Sequence, residues 1–345
     1  MELYIDKENL KSLIKSRDHE LYGDCIRMVK KNFDIQFTFP AEEILKDEML
    51  SLWLIGFNEG LGGGSGMIKY DVKVPSRPLK TNVYNEFNND ANKMSAVYLL
   101  DDEKIDELAN RKFMLFGRVG EEIEILSSLF FDDYQFQITF DAQNELKNWQ
   151  DIQPMLSPCT DIIIADSYIL SSPDVFNNNL YALIKEICSR ATNSKLNIVI
   201  FTIKDELLDI KDIKNRIKKE VEQITNIAPE VTIVLQEKPK RKSELSLEEK
   251  KTVEHDRTIF TNYKLITSGD SFNYFNGKWE TITTGRYLNI YSLANRHNFK
   301  LAMEFVKKMQ SNVSRLIKLN NSDAIDGKLK SNYLKEEIIE DNTQL

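Results

Sequence analysis

Cysteine, histidine and tryptophan are scarce in this 345-residue chain, three of each. Cys25, Cys159 and Cys188 are scattered, odd in number and form no C-x-x-C. That excludes a secreted disulfide framework and points to reduced thiols in a cytoplasm. No apolar run reaches the length of a membrane span, so none is expected. The opening Met1-Glu-Leu-Tyr-Ile-Asp-Lys-Glu is charged and lacks the apolar stretch of a signal peptide. Basic residues are outnumbered, 46 Lys and Arg against 54 Asp and Glu, for a net charge of −8. This balance excludes a wholesale nucleic-acid coat but leaves room for a local basic groove. Neither a metal nor a cofactor is expected. Asp132-Asp133 has no neighbouring ligand at metal spacing and reads as a solvated turn. The densest glycine run, Gly60-Leu-Gly-Gly-Gly-Ser-Gly66, fails as a phosphate loop because Met67-Ile68-Lys69 replaces the required Gly-Lys-Ser/Thr ending. It fails the dinucleotide spacing too, and reads as a loop between elements.

What is present is an ordinary globular mixture, 41% hydrophobic and 29% charged, long enough for about two domains. The abundance of Lys, Asn and Ile suggests an AT-rich bacterial genome. Residues 1–150 read as a separate α+β domain of unknown role. Helical spacing falls over Asn9–Ile14, Cys25–Lys31 and Ala41–Phe57, with alternating strands at Asp34–Phe39, Lys69–Val74 and Tyr134–Phe140. Asp101–Asn110 reads as a short helix and Lys112–Gly117 as a buried strand. Glu121–Phe130 fits both periods, and Asp141 is placed to cap a helix over Ala142–Asp151.

From residue 151 the order becomes strand, helix, strand. Asp161–Ala165, Leu196–Thr202 and Val231–Leu235 are apolar strand runs. Between them lie the amphipathic helices Asn179–Arg190 and Asp205–Ile224. This order predicts an α/β fold with a mainly parallel sheet covered by helices. Ligands sit at the carboxyl ends of such strands, which singles out Asp166, Tyr168 and Thr202. Lys238-Pro-Lys-Arg-Lys242 begins a charged linker. Arg286–Tyr291 is a strand and Asn298–Met309 a helix. Residues 311–345 read as a polar tail, partly helical or disordered.

The stretch most like a site starts at Glu254-His-Asp-Arg257 and runs through the hairpin Thr258–Thr261 and Lys264–Thr267, joined by Asn262-Tyr263. It closes on Ser268-Gly-Asp-Ser-Phe-Asn273. Alternation puts His255 and Arg257 on one strand face, and imidazole beside guanidinium suits a phosphate or carboxylate. The plain alternative is an ordinary hairpin with a surface His-Asp-Arg.

On the strand Asp161-Ile-Ile-Ile-Ala-Asp-Ser-Tyr168, the α/β alternation, His255-x-Arg257 and Ser268–Asn273, residues 151–310 resemble the phospholipase D superfamily. They are similar to the degenerate C-terminal domain attached to MIT modules, a relative thought to have lost catalysis. The resemblance implies a mixed sheet flanked by helices. In that superfamily a histidine, a lysine and an aspartate carry the motif. Here the lysine position holds Arg257, and the aspartate falls at Asn262, which cannot ionise. His19 and His297 supply no second H-x-K.

The resemblance therefore implies a phosphate- or nucleic-acid-binding, non-catalytic subunit of a bacterial nucleic-acid-processing or defence complex in the cytoplasm. His255, Arg257, Ser268, Gly269, Ser271 and Asn273 would hold phosphate, with Asp166, Tyr168 and Asn262 in support. The alternatives are a homodimeric phosphodiesterase or nuclease using His255 of each protomer as the catalytic residue, and a protein-interaction scaffold. Nucleic acid and a protein partner or second copy are the expected partners.

Overall fold

The first residues, Glu2–Ile5, already form a largely buried strand, in a sheet the periodicity alone did not reveal. The computed structural model describes residues 1–58, 67–75, 93–109, 115–130, 134–140, 146–170, 176–189, 196–203, 209–236, 257–269, 271–281, 286–319, 322–331 and 333–334. The Gly60–Gly66 run, Asp132-Asp133, the Asp141 cap and Lys238–Lys242 lie outside the described residues.

Strand β1 (Glu2–Ile5) is the centre of a five-stranded sheet with β2 (Asp34–Phe37), β3 (Ile68–Lys69), β4 (Val97–Leu99) and β5 (Leu115–Gly117). The spatial order is β3-β2-β1-β4-β5, and every pairing is parallel. The first 130 residues are thus a parallel α/β unit rather than the α+β arrangement expected. The error arose at β1 and β4, which are too short to show alternation over a window. Parallel pairing supplies the ladder that such short strands cannot signal.

Helices α1 (Lys7–Lys15), α2 (Tyr22–Asn32), α3 (Ala41–Leu45), α4 (Glu48–Asn58), α5 (Asp102–Ala109) and α6 (Glu122–Ser127) fill the connections. The ambiguous Glu121–Phe130 run resolves as helix. The single helix expected over Ala41–Phe57 is two, broken at Lys46-Asp47. Leu3 and Ile5 enter the main core, while Tyr4 on the opposite face stacks on Tyr98 with ring centroids 5.0 Å apart.

The second sheet has eight strands in the order β13-β9-β8-β7-β10-β11-β12-β6. Its parallel centre is β7 (Asp161–Ala165), β8 (Asn197–Ile203) and β9 (Glu230–Gln236). The hairpin β10 (Thr258–Thr261) and β11 (Lys264–Ser268) joins this sheet, with β10 antiparallel to β7. Beyond it lie β12 (Arg286–Ser292) and β6 (Gln135–Phe140), so a segment ahead of residue 151 belongs to this sheet. Helices α7 (Tyr181–Cys188) and α8 (Ile210–Thr225) cover one face.

The other face meets α9 (Arg296–Lys318) and the N-terminal unit in one continuous core. That core contains Leu3, Phe37 and Leu99 of the first sheet together with Ala165, Phe201 and Phe260 of the second. Hydrogen bonds stitch the same junction. Tyr263 donates its hydroxyl to Ala96 O at 2.8 Å and accepts from Leu115 N at 3.2 Å. Fully buried Lys264 reaches the carbonyls of Ser128 and Leu129 at 3.4 and 3.3 Å. Burial pushes its amine down to about 7.

The described part of the expected tail is docked. Helix α9 runs to Lys318, β13 (Ile325–Asp326) pairs with β9, and Tyr333 and Leu334 are buried. Gly327 follows at φ +126°, where a Cβ would stand 2.7 Å from Val231 O, so only glycine lets this segment close on β9. Among the described residues no helix is long and apolar enough to cross a membrane.

Candidate functional site

Strand β7 is buried at every position and delivers Asp166 to the carboxyl end of the parallel centre. The Asp166 carboxylate accepts three bonds. One oxygen takes Tyr168 N at 2.9 Å, the other Ser271 Oγ at 2.7 Å and Phe272 N at 3.2 Å. Burial raises its pKa, with those three bonds and the charge of Arg257 opposing. Antiparallel pairing of Thr258 with Ala165 and with Thr267 brings Arg257 and Ser268 to this same end. Ser268 N donates to Arg257 O at 2.9 Å, and Arg257 Nη1 donates to Gly269 O at 2.9 Å.

Six of the residues expected at the site therefore meet at one sheet end: Asp166, Arg257, Ser268, Gly269, Ser271 and Asn273. Their polar atoms largely serve the loop itself. The hydroxyls of Ser268 and Tyr274 lie 2.7 Å apart, and Gly269 N donates to Tyr287 O at 2.8 Å. A Cβ on Gly269 would stand 3.2 Å from the Tyr287 ring, so that glycine permits the close approach. Asn273 Oδ1 accepts from Asn179 Nδ2 at 3.0 Å. Asn179, buried in a turn of π-helix ahead of α7, also accepts from Tyr274 N and Phe275 N, each at 2.9 Å. Sequence reading missed Asn179, although the run Asn177-Asn-Asn179 before an apolar stripe was a visible oddity. Tyr168 projects beside Asp166 and is 43% exposed, whereas Thr202 is buried and donates to Ser167 O at 3.3 Å. His255 and Asp256 lie outside the described residues.

Asn262 stands elsewhere. The antiparallel run of β10 carries it to the amino end of β7, roughly 17 Å of extended chain from Arg257. There its Oδ1 accepts from Thr160 N at 3.0 Å and Asp161 N at 3.1 Å, and its Nδ2 donates to Met94 O at 3.3 Å. It therefore fastens the two sheets and stands away from the sheet end that holds Arg257. His297 is exposed in the first turn of α9, beyond the Ser292 end of β12, and His19 is exposed after α1.

A second polar centre was not legible in the sequence. The order β3-β2-β1-β4-β5 reverses direction between β1 and β4, and the crevice outside their carboxyl ends is where open α/β sheets take ligands. Asp6 follows β1, its backbone N–H bonded to Leu99 O of β4 at 3.1 Å, and it caps α1 by accepting Asn9 N at 2.8 Å. Asn9 Nδ2 also donates to Asp6, at 3.1 Å. The Asn9 oxygen is buried and has no hydrogen-bond partner among the described residues.

Glu122, fully buried at the start of α6, accepts from Gly120 N at 3.0 Å and Ser12 Oγ at 3.1 Å. Burial raises its pKa, and the nearby charge of Asp6 adds to the rise. Among the described residues no group of three or more His, Cys, Asp or Glu is placed to hold a metal ion. No protein-family model matches the chain, and no curated protein matches it.

Proposed function

We propose that the chain binds a phosphate-bearing polymer, nucleic acid foremost, at the carboxyl end of the eight-stranded sheet, and does not turn it over. One observation carries this reading: the bond to Gly269 O fixes the Arg257 guanidinium at the end of a parallel β-α-β core. A guanidinium has five donors in a planar fork and is always charged, which suits a phosphate held through two oxygens. The way the neighbours are used supports the part of this reading that concerns turnover. Ser268, Ser271 and Asn273 bond to other side chains of the same region, and Asn262 sits at the opposite end. The phospholipase-D-like resemblance extends the proposal to a bacterial nucleic-acid-processing or defence complex. It rests on the short motifs quoted above.

The test is a fluorescence-anisotropy titration of labelled DNA and RNA against wild type and Arg257→Ala, with the same substrates followed for cleavage. Loss of one charge-assisted contact is worth about 1.5–3 kcal/mol, or a roughly 10- to 150-fold weaker affinity. Equal affinity of the two proteins would defeat the binding reading. Cleavage abolished by His255→Ala would replace it with the dimeric phosphodiesterase.

A second reading is favoured by the orphaned Asn9 oxygen. A buried amide oxygen beside a carboxylate is an acceptor pair suited to a donor-bearing ligand such as a ribose hydroxyl. Titration with a ribose oligonucleotide and its deoxyribose counterpart, each with and without magnesium, decides it. Affinity for the ribose form that drops in Asn9→Leu supports the crevice, and indifference of both proteins to the sugar removes it.

A further inference from the structure

Helix α9 carries its charge on one side. It buries Ala302, Met303, Val306, Met309, Val313 and Leu316, while Lys300, Lys308, Arg315 and Lys318 are exposed. At 3.6 residues per turn these four positions fall within about 80° of one another, in a row about 27 Å long. Glu304 is the only acid in α9, so the row is net positive on a protein whose overall charge is −8. The helix begins beyond the Ser292 end of β12. It ends at Lys318, shortly before β13, which pairs with Ile233 and Val234 of β9.

We infer that this row is a docking track for the backbone of duplex nucleic acid. The kind of ligand rests on the nucleic-acid reading above, but the residues are different ones. Charge complementarity argues for it: a straight row of cations about 27 Å long faces a duplex that repeats a phosphate charge every ~1.7 Å of its axis. An anionic membrane fits less well. A surface-lying helix must give its apolar face to the lipid, and α9 has committed that face to the core shared by both sheets.

The experiment titrates a labelled DNA duplex against the full chain at about 50 and 200 mM salt, because each phosphate contact adds roughly 0.9 to the slope of log K against log salt. The proteins are wild type, the triple variant Lys300→Gln, Lys308→Gln, Arg315→Gln, and Arg257→Ala. All three triple-variant positions are exposed, so its thermal unfolding should match wild type, and this is measured alongside. The triple variant is expected to bind at least ~10-fold more weakly at low salt, with a slope shallower by roughly 2–3. A slope equal to wild type overturns the track whatever Arg257→Ala does. A triple variant that is impaired while Arg257→Ala binds normally keeps the track and removes the Arg257 reading. Phosphatidylserine vesicles serve as the rival ligand. Vesicle binding lost in the triple variant while duplex binding persists would assign the row to a membrane and overturn the proposal.

Discussion

Asp166 and Asp6 each leave the carboxyl end of a buried parallel strand, yet their surroundings are finished to different degrees. Asp166 has three donors from its own chain, and the side chains around it bond to one another. Asp6 is also satisfied, as a helix cap, but its neighbour Asn9 keeps a buried oxygen without a donor among the described residues. The first arrangement is a fastener that shapes a loop and positions an arginine. The second retains an acceptor that no described residue uses. A buried carboxylate at a strand end is therefore not by itself a site. What separates the two cases is whether the chain supplies every donor.

Removing the fastener is the severest way to break the comparison. Asp166→Ala leaves Ser271 Oγ, Phe272 N and Tyr168 N without their acceptor, at about 1–3 kcal/mol per stranded group. A total loss of roughly 3–9 kcal/mol in urea unfolding at neutral pH is expected. Because the pKa of folded Asp166 is raised, the folded state holds the proton more tightly. That contribution is fully present below the ordinary carboxylate value and is lost as pH rises through the raised one. Asp166→Asn should remove this pH dependence. A loss below about 1 kcal/mol for Asp166→Ala would show that the loop is held elsewhere.

Lys264 tests how strongly the two sheets are joined. Its amine falls from 10.5 to about 7, so between those values the unfolded chain binds the extra proton. Stability should then rise with pH through that window, by on the order of 3 kcal/mol after relaxation around the buried amine. Lys264→Met should flatten the rise and raise the melting temperature near pH 7. A mutant as pH-sensitive as wild type would mean that another group titrates there.

The smallest effects sharpen the other side of the comparison. Asp6→Ala removes a helix cap, at about 1–2 kcal/mol. Asn9→Leu gives up the amide N–H bond to Asp6 but no bond at the oxygen among the described residues, and should cost about 1–2 kcal/mol. A chemical-denaturation loss of several kcal/mol for Asn9→Leu would show that the oxygen is already engaged, and the two strand ends would then be alike.

Local sequence determined the elements whose own side chains suffice to define them. Residues 162–165, 198–201 and 231–235 are largely apolar runs flanked by polar residues, and they lie in the parallel centre of the larger sheet. The pair Asn262-Tyr263 between two β-branched runs marks a hairpin because a two-residue turn admits little else. By the same pairing logic Arg257, Ser268 and Asp166 come together.

Three features depended on contacts distant in the chain. The four residues of β1 and the three of β4 become strands only because each has a parallel partner on both sides. Asn262 and Asn179 look alike in sequence, and only the fold sends one to the junction of the sheets and the other to the Ser268–Asn273 loop. Residues beyond 311 are polar enough to read as a tail, yet Val313, Leu316, Tyr333 and Leu334 find an apolar surface already assembled by both sheets. Hydrophobic period is local information. Which buried polar atoms are satisfied, and which polar segment finds a partner, depends on surfaces that exist only after the chain has folded.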